Sequence, residues 1–375
     1  MSDPLNEKYT FISFSFEELR DENFTQKLLK DSVLPFSHNR LRSFLNNPRA
    51  RKDDILLVIC KLHDQIIAYR TMLPDDLVTG LKNIHFAWLS GIWVSPAYRS
   101  RGIGKKLHEL AWEAWAGQLI GTEFTPVNGQ VMLQTKHYIS QYHKKGTIIY
   151  YKSPIKDVII NRYPSMKNIR FIFSGVDIVF NAWGRIRHFT AKTIRIPENC
   201  SMNLCDVLSE DAKLFILEYG AYSSTNRRLA ELDWIIKYPW ISGDLTAKAE
   251  SEHYYFSVYA NNFSLKFLEI RIKGILEGIA MISLRDGVMK IPYLFIDKEK
   301  SAIAASCILR YAIENRIRKL ISYHTQLNIE LIRQDQQRIY FKETSRKYLI
   351  SKTFNKIGDI DILQFEDGDG DCVFV

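Results

Sequence analysis

Gly91-Ile-Trp-Val-Ser-Pro-Ala-Tyr-Arg-Ser-Arg-Gly-Ile-Gly-Lys-Lys-Leu107 is the stretch on which the reading of this chain turns. Upstream of it, Ile84 to Val94 reads as one long strand. Downstream, Leu107, Leu110, Ala111, Ala114 and Trp115 recur at the spacing of one buried helical face, which predicts a helix over Lys105 to Trp115. Arg99, Arg101, Gly102, Gly104, Lys105 and Lys106 cluster at the junction. The first turn of a helix has free N–H groups and the positive end of the dipole, so it suits a phosphate. Glycines let an anion reach the backbone with no Cβ in the way. A diphosphate site follows from these properties. The stretch has neither Gly-Lys-Ser/Thr nor a three-glycine fingerprint, which argues against a P-loop and against a Rossmann dinucleotide site.

Working outward, Tyr9 to Phe16 alternates like a strand, and helical pattern follows to Leu45 with a break near Pro35. Ile55 to Tyr69 predicts two strands around a turn at His63-Asp64-Gln65. Beyond the central helix, the pattern predicts a short strand at Gln130–Gln134, a helix at His137–Lys145 and a closing strand at Thr147–Lys152. A similar order returns later: a short strand at Thr193–Ile196, a helix from Ser209 to Tyr219, and two strands between Phe267 and Ile282. A strand at Val288–Ile296, a helix through Ala304 to Ala312 and a strand at Lys319–Tyr323 complete it. Glu366-Asp-Gly-Asp-Gly-Asp371 reads as a hairpin turn joining Ile362–Phe365 to Cys372–Val375, rather than as a calcium loop. The expected fold is therefore α+β: two related units, each a mostly antiparallel mixed central sheet flanked by helices. The division expected is 1–155, a connecting segment 156–195, and 196–375.

At 375 residues the chain is long enough for two cores, and 25% charged residues leave it an ordinary globular composition. The net charge of +9 favours anionic partners, but the cations are scattered and form no long block, so nucleic acid is not expected as a partner. Five cysteines show no zinc spacing, and no metal is expected. No apolar run approaches the roughly 20 residues that span a bilayer, so the expectation is a cytoplasmic protein with no membrane partner. A homodimer is compatible with the sequence.

Val94-Ser-Pro-Ala-Tyr-Arg-Ser-Arg-Gly-Ile-Gly resembles motif A of the GNAT acyltransferases, with Val94, Pro96, Arg99, Gly102 and Gly104 at its defining positions. The resemblance implies an N-terminal unit that takes acetyl-CoA as cosubstrate and acetylates a small-molecule or peptide amine by direct attack on the thioester. It implies that Arg99, Arg101, Gly102, Ile103, Gly104 and Lys105 hold the pyrophosphate, and that the backbone of Ile92 and Val94 pairs with the pantetheine arm. The family's second signature, a helix ending Tyr-x-x-x-Gly-Phe, is matched by Tyr142-His-Lys-Lys-Gly146-Thr147, with Thr in place of Phe. Tyr142 would then protonate the leaving thiolate. The base is left open among His85, Ser90 and Glu123 and a water chain. In the second copy Glu299 and Ser301 fall where Gly102 and Gly104 stand, so CoA is expected in the first copy only. Aminoacyl or other acyl transfer on a tandem fold, and a non-catalytic acyl-CoA-binding module, are the competing readings.

Overall fold

The computed structural model describes residues 9–29, 33–79, 82–190, 196–219, 223–356 and 363–374. In chain order the first copy runs β1 (Thr10–Ser15), α1 (Phe16–Leu19), α2 (Glu22–Leu29), α3 (His38–Leu45), β2 (Ile55–Leu62), β3 (Gln65–Thr79) and β4 (Lys82–Val94). It continues with α4 (Ile103–Ala114), β5 (Leu119–Thr122), α5 (Pro126–Gln134) and β6 (Tyr138–Tyr150). Two helices follow, α6 (Ile155–Arg162) and α7 (Arg170–Thr190), joined by a 3-10 segment at Pro164–Ile169. The second copy runs β7 (Cys200–Cys205), α8 (Glu210–Tyr219), α9 (Leu229–Lys237), α10 (Leu245–Glu250), β8 (Phe263–Ile272), β9 (Ile275–Arg285) and β10 (Val288–Ile296). It ends with α11 (Ser301–Glu314), β11 (Lys319–Ser322), α12 (Thr325–Gln334) and β12 (Tyr340–Ser351).

The compact units do not follow the expected division into 1–155 and 196–375. The first comprises 1–144, 216–263 and 346–375, and the second 145–215 and 264–345. Thus β6 and β12 each start in one unit and finish in the other. Tyr348, Leu349 and Ile350 of β12 pair antiparallel with Thr122, Gly121 and Ile120, completing the first unit's sheet beside β5. Thr147 to Tyr150 of β6 pair antiparallel with Ser322 to Lys319, completing the second beside β11. Each copy has handed its last strand to the other's sheet.

In the first unit β1 to β4 form an antiparallel meander and β5 joins β4 in parallel. Ile103, Leu107 and Ala111, four residues apart on α4, are all but fully buried. They pack with Val58, Ala68, Ala87 and Leu119 of the sheet, so α4 covers one sheet face along a single apolar stripe. In the second unit, Ala304, Ile308 and Ala312 of α11 pack with Ile270, Ala280, Ile282 and Leu320 in the same manner.

Three expected elements differ from the structure. Gln130–Gln134 is the end of helix α5, whose start is set by the Thr125 hydroxyl accepting from the Asn128 N–H and by Pro126 in the first turn. The expected helix at His137–Lys145 is strand β6, and the short strand is Leu119–Thr122. The connecting segment expected at 156–195 holds the helices α6 and α7. The C-terminal hairpin does not form: 363–366 carries no regular structure, 367–371 turns, and Cys372–Phe374 is a 3-10 turn. Most of the expected strand at Thr193–Ile196 lies outside the described residues.

Candidate functional site

The strand β4 is paired with β3 along its whole length, to Val94 opposite Ala68. With β5 it pairs only at Ala87, Trp88 and Leu89. Past Leu89 the two parallel strands part. Between Met72↔Leu89 and Arg70↔Ile92 the register slips, so Ser90 and Gly91 bulge out opposite Thr71. The Thr71 hydroxyl accepts from the Gly91 N–H at 2.8 Å. A Cβ at Gly91 would lie 3.0 Å from the Phe256 ring and 3.2 Å from Arg40 Nη2, so a larger residue would push on two packed side chains.

Beyond the bulge the Ser95 N–H donates to the Ile67 carbonyl. Peptides alternate in direction along a strand, so Ser95 and Trp93 turn toward β3 while Ile92 and Val94 turn toward the gap. The Val94 carbonyl, on that open side, accepts from Arg99 Nε at 3.1 Å.

The gap leads to the loop 95–102 and the start of α4. Ser100 and Gly102 take left-handed backbone, with φ of 60° and 81°, which brings the chain round so that the first turn of α4 faces solvent. A Cβ at Gly104 would meet only Val94 Cγ2, at 3.8 Å, so the approach to the helix end is open. Arg99, Arg101 and Lys105 are exposed and Ile103 is buried; no acidic residue sits in the first turn. Arg101 lies over the Tyr98 ring at 5.3 Å. Free N–H groups, open backbone and exposed cations, of which Lys105 also reaches Glu109 Oε1 at 3.7 Å, together fit a diphosphate. The structure thus brings Ile92, Val94, Arg99, Arg101, Gly102, Ile103, Gly104 and Lys105 to one continuous edge. Tyr142 falls on β6, not at a helix end, and its side chain lies outside the described residues. Helix α5, the one that follows β5, contains no tyrosine.

At the bulge the Ser90 hydroxyl donates to Asp371 Oδ2 at 2.8 Å and accepts from Arg40 Nη2 at 2.6 Å. Arg40 also donates from Nη1 to the Tyr254 hydroxyl at 3.0 Å and stacks 4.2 Å over the Trp240 ring. Burial raises the Asp371 carboxyl above the usual carboxylate range, against the pull of Arg40 and Ser90, and Glu123 adds to the rise. Glu123, directly after β5, accepts from Arg346 Nε at 2.7 Å. Sequence reasoning missed Arg40 and Asp371. The only local trace of Asp371 was the glycine-spaced run of acids that contains it.

His85 is not available as a base. Its Nδ1 meets Asp76 at 2.8 Å and its Nε2 meets Asp54 at 2.8 Å. Burial works against its charge, but the bonds to the two carboxylates outweigh burial and lift its pKa to about 9. It carries its proton at neutral pH. Ile92 lies seven positions further along the strand, about 23 Å away.

On the sheet face opposite α4, Tyr69 and Trp93 are register partners, their rings stacked at 5.7 Å. They line a cavity of about 340 Å³ with Leu34, Tyr254, Tyr255 and Glu252 among its walls. Tyr69 is 1% exposed and its hydroxyl has no hydrogen-bond partner among the described residues. Among the described residues no cluster of three or more metal-ligating side chains occurs.

Residues 16–124, which hold this edge and bulge, match the acetyltransferase (GNAT) family. That match supports acyl transfer from an acyl-CoA. Among solved structures the chain is similar to a tandem GNAT protein from the clavulanic acid biosynthesis pathway, at 12% identity over 91% of this chain and 98% of that one, with a TM-score of 0.48. It is also similar to a probable N-acyltransferase from Enterococcus faecalis V583, at 11% identity over 91% and 72% of the two chains, with a TM-score of 0.49. A GCN5-related N-acetyltransferase from Kribbella flavida aligns at 11% identity over 92% and 72%, with a TM-score of 0.46. Comparison with curated proteins finds no match.

Proposed function

We propose that the first unit transfers an acetyl group from acetyl-CoA to the amine of a small molecule. The observation that carries this reading is the open edge of β4, which runs from the bulge at Ser90–Gly91 past Ile92 and Val94 to the solvent-facing start of α4. The pyrophosphate sits on the backbone of Arg101 to Lys105, with Arg99 and Lys105 neutralising it. The pantetheine arm runs back along Ile92 and Val94 as an added strand. Its thioester therefore arrives at the bulge, beside Asp371.

The amine enters from the aromatic cavity, whose wall Trp93 stands between Ile92 and Val94. A protonated amine must lose a proton before it attacks. Asp371 takes that proton; its raised pKa brings it closer to the amine's and makes it a better base than an exposed carboxylate. The nitrogen then bonds to the carbonyl carbon, the C–S bond breaks, and the second proton the nitrogen sheds goes to the departing sulfur, so CoA leaves as the free thiol. Aromatic walls and one acid, Glu252, favour a cationic amine on an apolar body over a sugar.

Calorimetry with acetyl-CoA, then a turnover screen of amines monitored by free thiol, tests the proposal. One acetyl-CoA per chain and acetylation of an apolar amine support it. Absence of acyl-CoA binding would end it, and binding without turnover on any amine would leave an acyl-CoA-binding module instead.

A further inference from the structure

The helices α6 and α7 form a hairpin held by polar contacts. Two polar residues of α7 face its partner: Asp177 accepts from the N–H groups of Ile155 and Lys156 at 3.0 and 3.1 Å, and Asn181 accepts from the Ser153 N–H at 2.8 Å. They cap the start of α6. Several large apolar residues face solvent. Phe171, Ile178 and Val179 are each 68% exposed, and Ile172 is 49% exposed. Phe171 and Ile178 are seven residues apart, as are Ile172 and Val179, so they share one helix face. Val158 of α6 and Tyr163, Met166 and Ile169 of the connection are exposed beside them in sequence. An uncovered apolar stripe of this extent marks a contact surface.

The charge around the stripe says what it contacts. Between residues 152 and 182 there are five Lys and Arg against two acids, Asp157 and Asp177, and Asp177 is already committed to capping α6. Lys152, Arg162, Lys167 and Arg170 are exposed. A second copy of the hairpin would set these cations against their like. A partner with an apolar interior and a negative surface satisfies both features. No helix among the described residues is long and apolar enough to cross a membrane, and an amphipathic, basic helix lies in the interface rather than across it.

We propose that the α6–α7 hairpin docks the protein on an anionic membrane surface, with Phe171, Ile172, Ile178 and Val179 in the acyl boundary and Lys167 and Arg170 at the headgroups. The expectation of no membrane partner rested on the lack of a spanning run, which this mode does not need. The proposal is independent of the acyl-transfer reading, since its residues lie outside those of the first unit.

Flotation of the full chain with vesicles tests it. Vesicles of phosphatidylcholine with about 30% phosphatidylglycerol should carry the protein up the gradient, and pure phosphatidylcholine should not. Raising the salt from 0.1 to 0.5 M (about a twofold shorter Debye length) should weaken binding. Phe171→Ser with Ile178→Ser, and separately Lys167→Glu with Arg170→Glu, should each reduce partitioning at least about tenfold. Both pairs are exposed, and an unchanged circular dichroism spectrum checks that they fold. The proposal is overturned by no flotation, by equal binding to neutral vesicles, or by variants that bind like the wild type. It is also overturned if sedimentation shows a dimer that the apolar pair abolishes, which would make the stripe a contact between copies.

Discussion

The two strand–helix junctions of this chain share a frame and differ in what fills it. In the second unit β10 pairs with β9 along its length but with β11 only at Val288 to Lys290, and a register slip lies between Lys290 and Tyr293. The parting of parallel strands and the bulge are therefore properties of the architecture in both units. The loops are not alike. In the first unit eight residues, 95–102, with left-handed Ser100 and Gly102, lead to an open helix end ringed by cations. In the second, four residues, 297–300, lead into α11, with Asp297 and Glu299 among them and Ser301 buried at the first helical position. Lys300, the cation best placed there, is held by Glu277 and by Asp297. A gap between strands makes room for an extended ligand. Only a long glycine-bearing loop with exposed cations gives it a place to anchor.

Gly104→Glu is the sharpest way to break this comparison. The side chain has room, so the fold should stand, but a carboxylate at the helix start should weaken acetyl-CoA binding by about a hundredfold or more in calorimetry. Ser301→Glu, its counterpart, should leave affinity and the single-site stoichiometry unchanged. Two sites in the wild type would erase the difference between the junctions.

Next in size is Asp371→Asn, expected to lower kcat about a hundredfold with acetyl-CoA affinity intact. A base works deprotonated and burial has raised this carboxyl. The wild-type rate should therefore climb with pH through a limb above the ordinary carboxylate range, and that limb should vanish in the variant. A limb that survives the substitution belongs to another group.

His85, on the same strand as Ser90, sharpens the contrast between a clamped group and a working one. Its folded pKa of about 9 lies above the unfolded value near 6.5. The stability it contributes is thus full below pH 6.5 and lost as pH rises through 9. The loss is on the order of 2 kcal/mol, read by urea unfolding at pH 6 and pH 10. His85→Gln should be less stable at pH 6 and should show less of this pH dependence.

Smaller effects follow. Trp93→Ala should raise the KM for the amine about tenfold and leave acetyl-CoA affinity alone, because its ring lines the cavity while its backbone faces β3. Tyr142→Phe, on a strand rather than a helix end, should change turnover less than about threefold. A fall of about a hundredfold would restore the role its resemblance implied.

What the sequence showed clearly was local. The strand to Val94, the loop cations and the α4 stripe are each written within a few residues of where they act. The region after α4 misled because β5 is only four residues long and fully buried, giving no alternation to read. Val131-Met-Leu133 then looked like the missing strand, although Thr125-Pro126 carried the start signal of α5. Asp371 could not be recognised from its surroundings in sequence, since its partner Ser90 lies 281 positions away. The exchange of β6 and β12 was invisible for a similar reason: both strands have ordinary strand composition, and only pairing tells which sheet each completes.

That exchange bears on how the protein is made. When the first copy leaves the ribosome, β5 has no neighbour on its outer side until Tyr348 to Ile350 appear, some 230 residues later. At bacterial or eukaryotic synthesis rates this is a wait of about 10 to 50 s with a buried-type strand edge exposed. The first unit therefore cannot finish folding ahead of its neighbour. A nascent chain stalled or cut between the copies should be an aggregation-prone fragment rather than a small enzyme.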